Sequence, residues 1–182
     1  MPLLNSITTP YAEAFLQVCE SRGETDQAIE QARELLALWH SSSDLREAMA
    51  SPVIEVGAKK SALAALFGKA LSPAFLNLLK LLADRQRIGF LDAVLERLLE
   101  LYREQRGIAL ATVTSATPLS DDQQTLLVDK IKAVAGTDRV EVNHQQDAAL
   151  IGGFVLRVGS KVIDASLAGQ IRRLGLELAK VS

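Results

Sequence analysis

Residues 107–116 read Gly-Ile-Ala-Leu-Ala-Thr-Val-Thr-Ser-Ala, and the spacing of apolar residues changes at this stretch. Before Gly107, apolar residues recur every three or four positions, as they do in amphipathic helices. After it the residues are small, apolar and β-branched, which is typical of a strand, and the run stops at Pro118. The sequence therefore predicts two domains, a helical one over residues 1–105 and an α+β one over residues 106–182.

Six helices are predicted in the first domain, with capping residues, prolines and glycines marking their ends. They run from about Thr9 to Arg22, Thr25 to Ser41, Asp44 to Ala50, Val56 to Phe67, Ser72 to Asp84 and Ile88 to Gln105. Thr9 and Pro10 have the pattern of an N-cap and a first helical position. Asp44 and Glu47 have the spacing of a capping box. Because the breaks between the helices are short, we expect a bundle.

The fifth predicted helix is apolar almost all round. Its apolar positions are Phe75, Leu76, Leu78, Leu79, Leu81 and Leu82. A helix of this kind is either fully buried or lends one face to a partner. The pattern alone leaves both interpretations open.

The second domain alternates strand and helix patterns. A capping box, Ser120 with Gln123, opens a helix through Ala135, and residues 139–144 alternate as a strand. Residues 154–158 and 161–163 form a predicted hairpin around the turn Gly159-Ser160. A last helix carries Leu167, Ile171, Leu174 and Leu178. The predicted fold class is mainly α, an N-terminal six-helix bundle followed by a small mixed sheet-and-helix domain.

Composition narrows the possible functions. The chain has 182 residues, of which 30 are Leu and 25 are Ala, with one Cys and two His. One cysteine cannot build a disulfide framework, and so few soft ligands make a structural zinc site improbable. The longest stretch without a charge is 14 residues, too short to span a bilayer. No basic residue precedes Arg22, so we expect neither a secretory signal nor membrane insertion.

The charge distribution argues against a nucleic-acid partner. The net charge is −2 overall. Residues 1–105 hold 11 basic and 14 acidic residues, and the remainder holds 9 and 8. Neither part has the basic footprint that nucleic-acid binding requires. A helical RNA-binding or transcription adaptor is the alternative function, because helical bundles occur there too, and it would need a basic face on the first domain.

Motifs that suggest phosphate or dinucleotide binding fail in detail. Gly68-Lys69 lacks the Gly five residues earlier and the following Ser or Thr of a phosphate loop. Gly152-Gly153 and Gly159 flank a strand instead of joining a strand to a helix. We interpret these glycines as helix ends and as turns at close backbone approach, and we expect no cofactor.

Residue types of a catalytic triad occur in His144, Asp164 and Ser166. Ser166 lacks the nucleophile-elbow pattern, so helix capping by Asp164 and Ser166 is the favoured interpretation. His144 alternates with two valines and is predicted to be half-buried. Cys19 lies on an apolar helical face and is predicted to be a small core residue. No arrangement supports catalysis, and we expect a protein that is not an enzyme by itself.

Three segments carry a resemblance to a known family. Residues 150–174, Leu-Ile-Gly-Gly-Phe-Val-Leu-Arg-Val-Gly-Ser-Lys-Val-Ile-Asp-Ala-Ser-Leu-Ala-Gly-Gln-Ile-Arg-Arg-Leu, resemble the signature of the delta subunit of F-type ATP synthases. The mitochondrial relative of that subunit is the oligomycin-sensitivity-conferring protein. Residues 9–14 are similar to the family's first helix, and residues 77–84 followed by Arg87-Ile88 to its fifth helix and the next turn. The resemblance covers essentially the whole chain.

The resemblance implies a non-catalytic stator subunit, one copy per complex, of a proton-translocating ATP synthase. Such a subunit links the catalytic head to the peripheral stalk, so that rotation is coupled to ATP synthesis. Its location would be peripheral, on the cytoplasmic or stromal face of a plasma or thylakoid membrane. The first domain would bind the N-terminus of an alpha subunit, and the second domain the peripheral-stalk b subunits.

The resemblance also implies positions for both contacts. In the family, the first and fifth helices form a groove for the alpha-subunit helix. The matching positions are Tyr11, Ala14, Phe15 and Val18 on the first helix and Asn77, Leu78, Leu81, Leu82 and Arg85 on the fifth. For the stalk, the expected contacts are Leu167, Ile171, Leu174 and Leu178 of the last helix. The competing interpretation is that all these residues belong to the cores of their own domains.

Overall fold

The structure is a computed structural model that describes residues 2–173, apart from the side chains of residues 2–5, 121 and 122. The chain divides between Tyr102 and Arg103 into two compact units, which we call the N-unit and the C-unit. The described residues are mainly helical, with a small mixed four-stranded sheet. This confirms the fold prediction at that level.

The helices up to the change of period have well-defined bounds. They are α1 (Pro2–Arg22), α2 (Thr25–Ser41), α3 (Ser43–Ala50), α4 (Val56–Phe67), α5 (Pro73–Asp84) and α6 (Leu91–Arg106). A short 3-10 helix, Ile88–Phe90, precedes α6. The predicted start of the sixth helix at Ile88 is therefore a separate tight turn.

Helix α1 corrects the predicted start of the first helix. It begins at Pro2, and Pro10 lies inside it instead of at its first position. Proline already has a helical φ, and its cost inside a helix is one N–H bond and crowding of the preceding turn. Thr8 in that preceding turn is only 1% exposed. The turn that precedes the proline is therefore part of the packed interior of the N-unit.

The helix caps were predicted correctly at α5 and wrongly at α3. Ser72 is the N-cap of α5, where its Oγ accepts a hydrogen bond from the Phe75 N–H, and Pro73 follows it. At α3 the cap is Ser42, whose Oγ accepts from the Leu45 N–H at 3.3 Å, and not Asp44. Ser42 has extended backbone angles, as an N-cap requires, whereas Asp44 is already inside the helix.

The N-unit has one apolar core. Its largest fully buried side chains include Trp39, Phe75, Leu63, Leu79, Leu82, Ile88, Leu91 and Leu95. Five of the apolar α5 residues named in the sequence analysis differ in their exposure to solvent. Phe75, Leu78, Leu79 and Leu82 are buried, whereas Leu81 is 43% exposed. Helix α5 is thus a core helix that also presents apolar surface.

Gly107 explains the change of period. Its φ is +63°, a left-handed conformation that glycine adopts without strain. The N–H of Ile108 donates to the Arg103 carbonyl at 2.9 Å, and that of Gly107 to the Glu104 carbonyl. This pair of bonds is a Schellman motif, which ends α6 and lets the first strand begin two residues later.

The C-unit contains a four-stranded mixed sheet. The strands are β1 (Ala109–Ser115), β2 (Val140–Gln146), β3 (Phe154–Val158) and β4 (Lys161–Asp164), and α7 (Asp121–Ala135) joins the first two. The order is β2-β1-β3-β4. Strand β1 pairs parallel with β2 and antiparallel with β3, and β3 pairs antiparallel with β4. Residues 167–173 are helical and form α8.

Two of the local predictions for the C-unit, the capping box and the hairpin turn, are confirmed. Ser120 and Gln123 form the predicted capping box, and Val158 pairs with Lys161 across the predicted two-residue turn. The predicted end of β2 was wrong, because the strand continues to Gln146 through its parallel pairing with β1. His144 is exposed and not half-buried. Helix α7 packs on this sheet, where its Leu127 and Ile131 share an apolar core with residues of β1 and β3.

Candidate partner-binding site

An apolar groove lies between α1 and α5 on the N-unit. It has a volume of about 470 Å³. The residues that line it are Pro10, Tyr11, Ala14, Phe15, Val18 and Arg22 of α1 and Ala74, Asn77, Leu78 and Leu81 of α5. The spacing of these positions in each helix, three and four residues, places them along one face.

The groove has a buried floor and exposed edges. Phe15 is 5% exposed and Leu78 is 6% exposed. The Phe15 ring meets the Phe75 ring edge-on, with centroids 4.9 Å apart, and this packing holds the two helices together. Val18 and Leu81 are 41% and 43% exposed. These two side chains therefore keep apolar surface that a partner could cover.

Positive charge accompanies the apolar surface. The Arg87 guanidinium donates a hydrogen bond to the Tyr11 hydroxyl at 2.9 Å and lies 5.7 Å from the centroid of the Tyr11 ring. Arg22 lines the groove directly. A ligand with apolar anchors and acidic flanks would complement both features.

The structure brings together seven of the nine residues predicted for this groove. They are Tyr11, Ala14, Phe15, Val18, Asn77, Leu78 and Leu81. The other two lie elsewhere: Leu82 is fully buried in the core, and Arg85 is exposed at the C-cap of α5. The prediction missed Pro10, Arg22 and Ala74. Their signal was present, because each lies three or four residues from a predicted groove position on the same helix.

Two of the four residues predicted for the stalk can be located. Leu167 is 46% exposed and Ile171 is 67% exposed on α8, while Leu174 and Leu178 lie outside the described residues. Leu167 packs over Gly152, where an added Cβ would come within 2.8 Å of its Cδ1. Val162 and Ile163 of β4 are also exposed. The C-unit therefore carries several exposed apolar side chains near its C-terminal helix.

The residue types of a catalytic triad are not brought together. His144 is on β2 and Asp164 is on β4, at opposite edges of the sheet. Three strand spacings separate them, about 14 Å. Instead, Ser166 donates its hydroxyl and its N–H to Asp164 Oδ1, and Ser166 Oγ accepts the Gly169 N–H. Ser166 is thus the N-cap of α8, and Asp164 supports it.

The surroundings of Asp164 and Cys19 shift the pKa values of these two side chains. The hydroxyl and N–H of Ser166 hold the pKa of Asp164 below its ordinary value. Burial raises the pKa of Cys19 to about 11, and nearby Glu24 adds to the rise. Cys19 is 1% exposed and remains a protonated core thiol near neutral pH. Within residues 2–173, no group of three His, Cys, Asp or Glu side chains could hold a metal ion.

The glycines that suggested phosphate or dinucleotide binding serve instead as a helix end and as a site of close backbone approach. Gly68 is the C-cap of α4. Gly153 has φ +82°, and a Cβ there would lie 2.4 Å from the Ala165 carbonyl oxygen. Only glycine fits such a close approach of two backbones. The part of the chain that the structure describes thus forms two compact units, and the first carries an apolar groove between two of its helices.

Comparisons with known proteins point to one family. The family model for the ATP synthase delta (OSCP) subunit matches residues 7–178. ATP synthase subunit delta of Prochlorococcus marinus (strain MIT 9303) is 70% identical over 182 residues and all of both chains. ATP synthase subunit delta of Synechococcus sp. (strain RCC307) is 63% identical over 180 residues, 99% of each chain.

A solved structure shares the fold. A chain of the Toxoplasma gondii mitochondrial ATP synthase hexamer aligns with a TM-score of 0.74 and 20% sequence identity, over 93% of this chain and 96% of that one. The chain described here belongs to the ATP synthase delta (OSCP) subunit family. Subunits of this family are stator components of F-type ATP synthase, structural and not catalytic by themselves. The alternative of an RNA-binding or transcription adaptor is therefore wrong.

Proposed function

We propose that this chain ties the catalytic head of an F-type ATP synthase to its peripheral stalk, with one copy per complex. In this proposal α1–α6 act as a six-helix bundle that holds the N-terminal segment of an alpha subunit. The α+β domain holds the distal ends of the b subunits. Torque from the rotating central stalk then drives nucleotide chemistry, because the head is kept from turning with it.

The groove between α1 and α5 is the observation that carries the proposal. Grooves that accept an amphipathic helix contact anchors at positions i, i+3, i+4 and i+7. Tyr11, Phe15 and Val18 on one side and Leu78 and Leu81 on the other supply apolar contacts at that spacing. The floor is prepacked, so little ordering is needed when a partner helix binds.

The charges near the groove favour a partner helix that carries acidic side chains. Arg22 and the Arg87–Tyr11 pair would attract acidic side chains that flank the apolar anchors of the alpha-subunit helix. Such rim charges contribute more to association rate and register than to affinity. We expect this contribution to weaken at high salt.

A stator must resist sustained force, and two attachment points suit that task. A stable interface buries on the order of 1,600 Å² and depends on a few well-packed anchors. When two units of one chain grip two parts of a complex, release of one leaves the other held nearby, which raises the effective concentration for rebinding. The exposed Leu167 and Ile171 are our candidates for the stalk contact of the second unit.

The location that fits this role is peripheral, on the cytoplasmic or stromal face of a plasma or thylakoid membrane. In residues 2–173, no helix has both the length and the apolar character needed to cross a bilayer. Attachment would therefore run through the other subunits of the complex.

Copurification tests the proposal. Membranes are solubilised and the rotary ATPase is isolated through a different subunit, and then the soluble head is stripped from the membranes. We expect this chain to travel with the complex and to be released with the head fraction. Its absence from the purified complex would overturn the proposal.

A further inference from the structure

A second pocket on the N-unit lies away from the groove. It is enclosed by α3, the segment after it, the beginning of α4 and the 3-10 helix Ile88–Phe90, and its volume is about 420 Å³. The apolar residues of its lining are Met49, Ala50, Pro52, Ile54, Val56 and Phe90. Pockets of this size and composition bind small groups through apolar contacts and a few polar ones.

One polar group in this pocket is unusual. Lys59 lines the pocket and is only 7% exposed. Its ammonium makes no hydrogen bond or ion pair with any residue that the structure describes, whereas its neighbour Lys60, more exposed, pairs with Asp84 at 2.8 Å. The pocket lining therefore includes a cationic side chain that is not paired with any residue that the structure describes.

The helix that carries Lys59 adds a second source of positive potential. The N-terminus of α4 borders the pocket through Glu55 and Val56. Glu55, at the N-cap position, makes no side-chain capping bond, so the first N–H groups of α4 lack a side-chain acceptor from that position. The helix dipole and these N–H groups favour an anion at this end.

The other polar residues in the lining of the pocket are Glu55 and Gln86. Glu55 is one helical turn from Lys59, but no oxygen of its carboxylate lies within 4.0 Å of the ammonium. Its negative charge would compete with an incoming anion. Removal of that charge is therefore expected to strengthen binding of a carboxylate.

We propose that this pocket binds a carboxylate-bearing apolar peptide segment of a partner protein. A single ammonium suits a carboxylate, which carries one charge, and the apolar residues of the lining suit a segment that is otherwise apolar. A phosphate carries nearly two charges and requires several donors. A peptide is favoured over a small molecule because apolar surface continues outside the pocket, where Val53 is 87% and Phe90 42% exposed.

The test is a titration of the full chain, labelled with ¹⁵N, by NMR. The probe is the capped peptide acetyl-Ala-Leu-Glu-Phe-Ala-amide, and its neutral twin has Gln in place of Glu. We expect the amides of Ala50, Val56 and Gly89 to shift with a dissociation constant on the order of 1 mM. The neutral twin should bind at least tenfold more weakly.

Variants separate the charge from the fold. Lys59→Met keeps the apolar stem and should weaken binding at least tenfold, whereas Lys59→Arg should stay within about threefold of the wild type and Lys60→Met should not change it. Glu55→Gln should strengthen binding about two- to fivefold. Should Lys59→Met fail to fold, the comparison of the two peptides on the wild-type chain still tests the charge requirement.

Three results would overturn the proposal. The first is equal binding of the two peptides. The second is a set of shifts centred on the groove between α1 and α5. The third is displacement of the peptide by an equal concentration of inorganic phosphate, which would make the pocket a simple anion site.

Discussion

Replacement of Leu81 by Asp separates partner binding from folding in the groove between α1 and α5. Leu81 is 43% exposed in the free chain. Complete burial of a leucine side chain is worth about 1.5–3 kcal/mol, so covering the remaining surface contributes about 1 kcal/mol to binding. The substitution removes that contribution and adds the cost of desolvating a carboxylate in an apolar groove, about 1–3 kcal/mol.

The two contributions predict a loss of about 2–4 kcal/mol of binding free energy, which is a dissociation constant raised about 30- to 700-fold. Folding should lose about 1–2 kcal/mol, because the part of Leu81 that is buried in the free chain is removed, whereas the new carboxylate stays in water. Isothermal titration of the full chain with a peptide of the alpha subunit's N-terminus measures the first quantity, and urea unfolding measures the second.

Leu66→Asp is the matched control. Leu66 is 60% exposed on α4 and does not line the groove, so the same change of chemistry there should leave peptide binding unaltered. Equal affinity of wild type and Leu81→Asp would refute the assignment of this groove. A parallel loss of binding and of stability would mean that Leu81 acts in the core.

Three further predictions concern stability and reactivity. Gly153→Ala should destabilise the chain by about 2–4 kcal/mol in urea unfolding, because φ is +82° and the new Cβ would meet backbone atoms, whereas Gly23→Ala, with φ +69° and open space, should cost about 1 kcal/mol. Cys19, with its pKa raised to about 11, should react with a thiol reagent at pH 8 only when urea unfolds the chain. Asp164, whose pKa the Ser166 hydroxyl lowers, should stabilise the fold above its unfolded pKa of about 3.9 and lose that effect as pH falls below it. The melting temperatures of wild type and Asp164→Asn should therefore differ at pH 6, and the difference should shrink as the pH falls below about 3.9.

The fold was predictable wherever a local signal decides the structure. Gly107 ends α6 because only glycine adopts its backbone conformation without strain, and the capping box at Ser120 needs only residues three apart. The predicted bounds of helices and strands were wrong where contacts between residues distant in the sequence determine them. Helix α1 extends upstream of Pro10, where the local pattern predicts a helix start, and pairing with β1 extends β2 to Gln146.

The groove between α1 and α5 was also predictable from local patterns only in part. Helical spacing and the family resemblance together located the two helices and most of the lining. They could not assign Leu82 to the core, because α5 is apolar on nearly every side and only packing selects the face that stays open. Lys59 carried no signal in the sequence, since its burial depends on α3 and on the residues after α5.

The central claim is that this chain couples rotation to chemistry by holding the head still. Proton pumping driven by ATP in membrane vesicles, measured beside ATP hydrolysis, tests it most directly. Vesicles stripped of this chain and reconstituted with heads should hydrolyse ATP without pumping. Added wild-type chain should restore pumping, and Leu81→Asp should restore much less of it at the same concentration. Pumping at full efficiency without the chain would contradict the account.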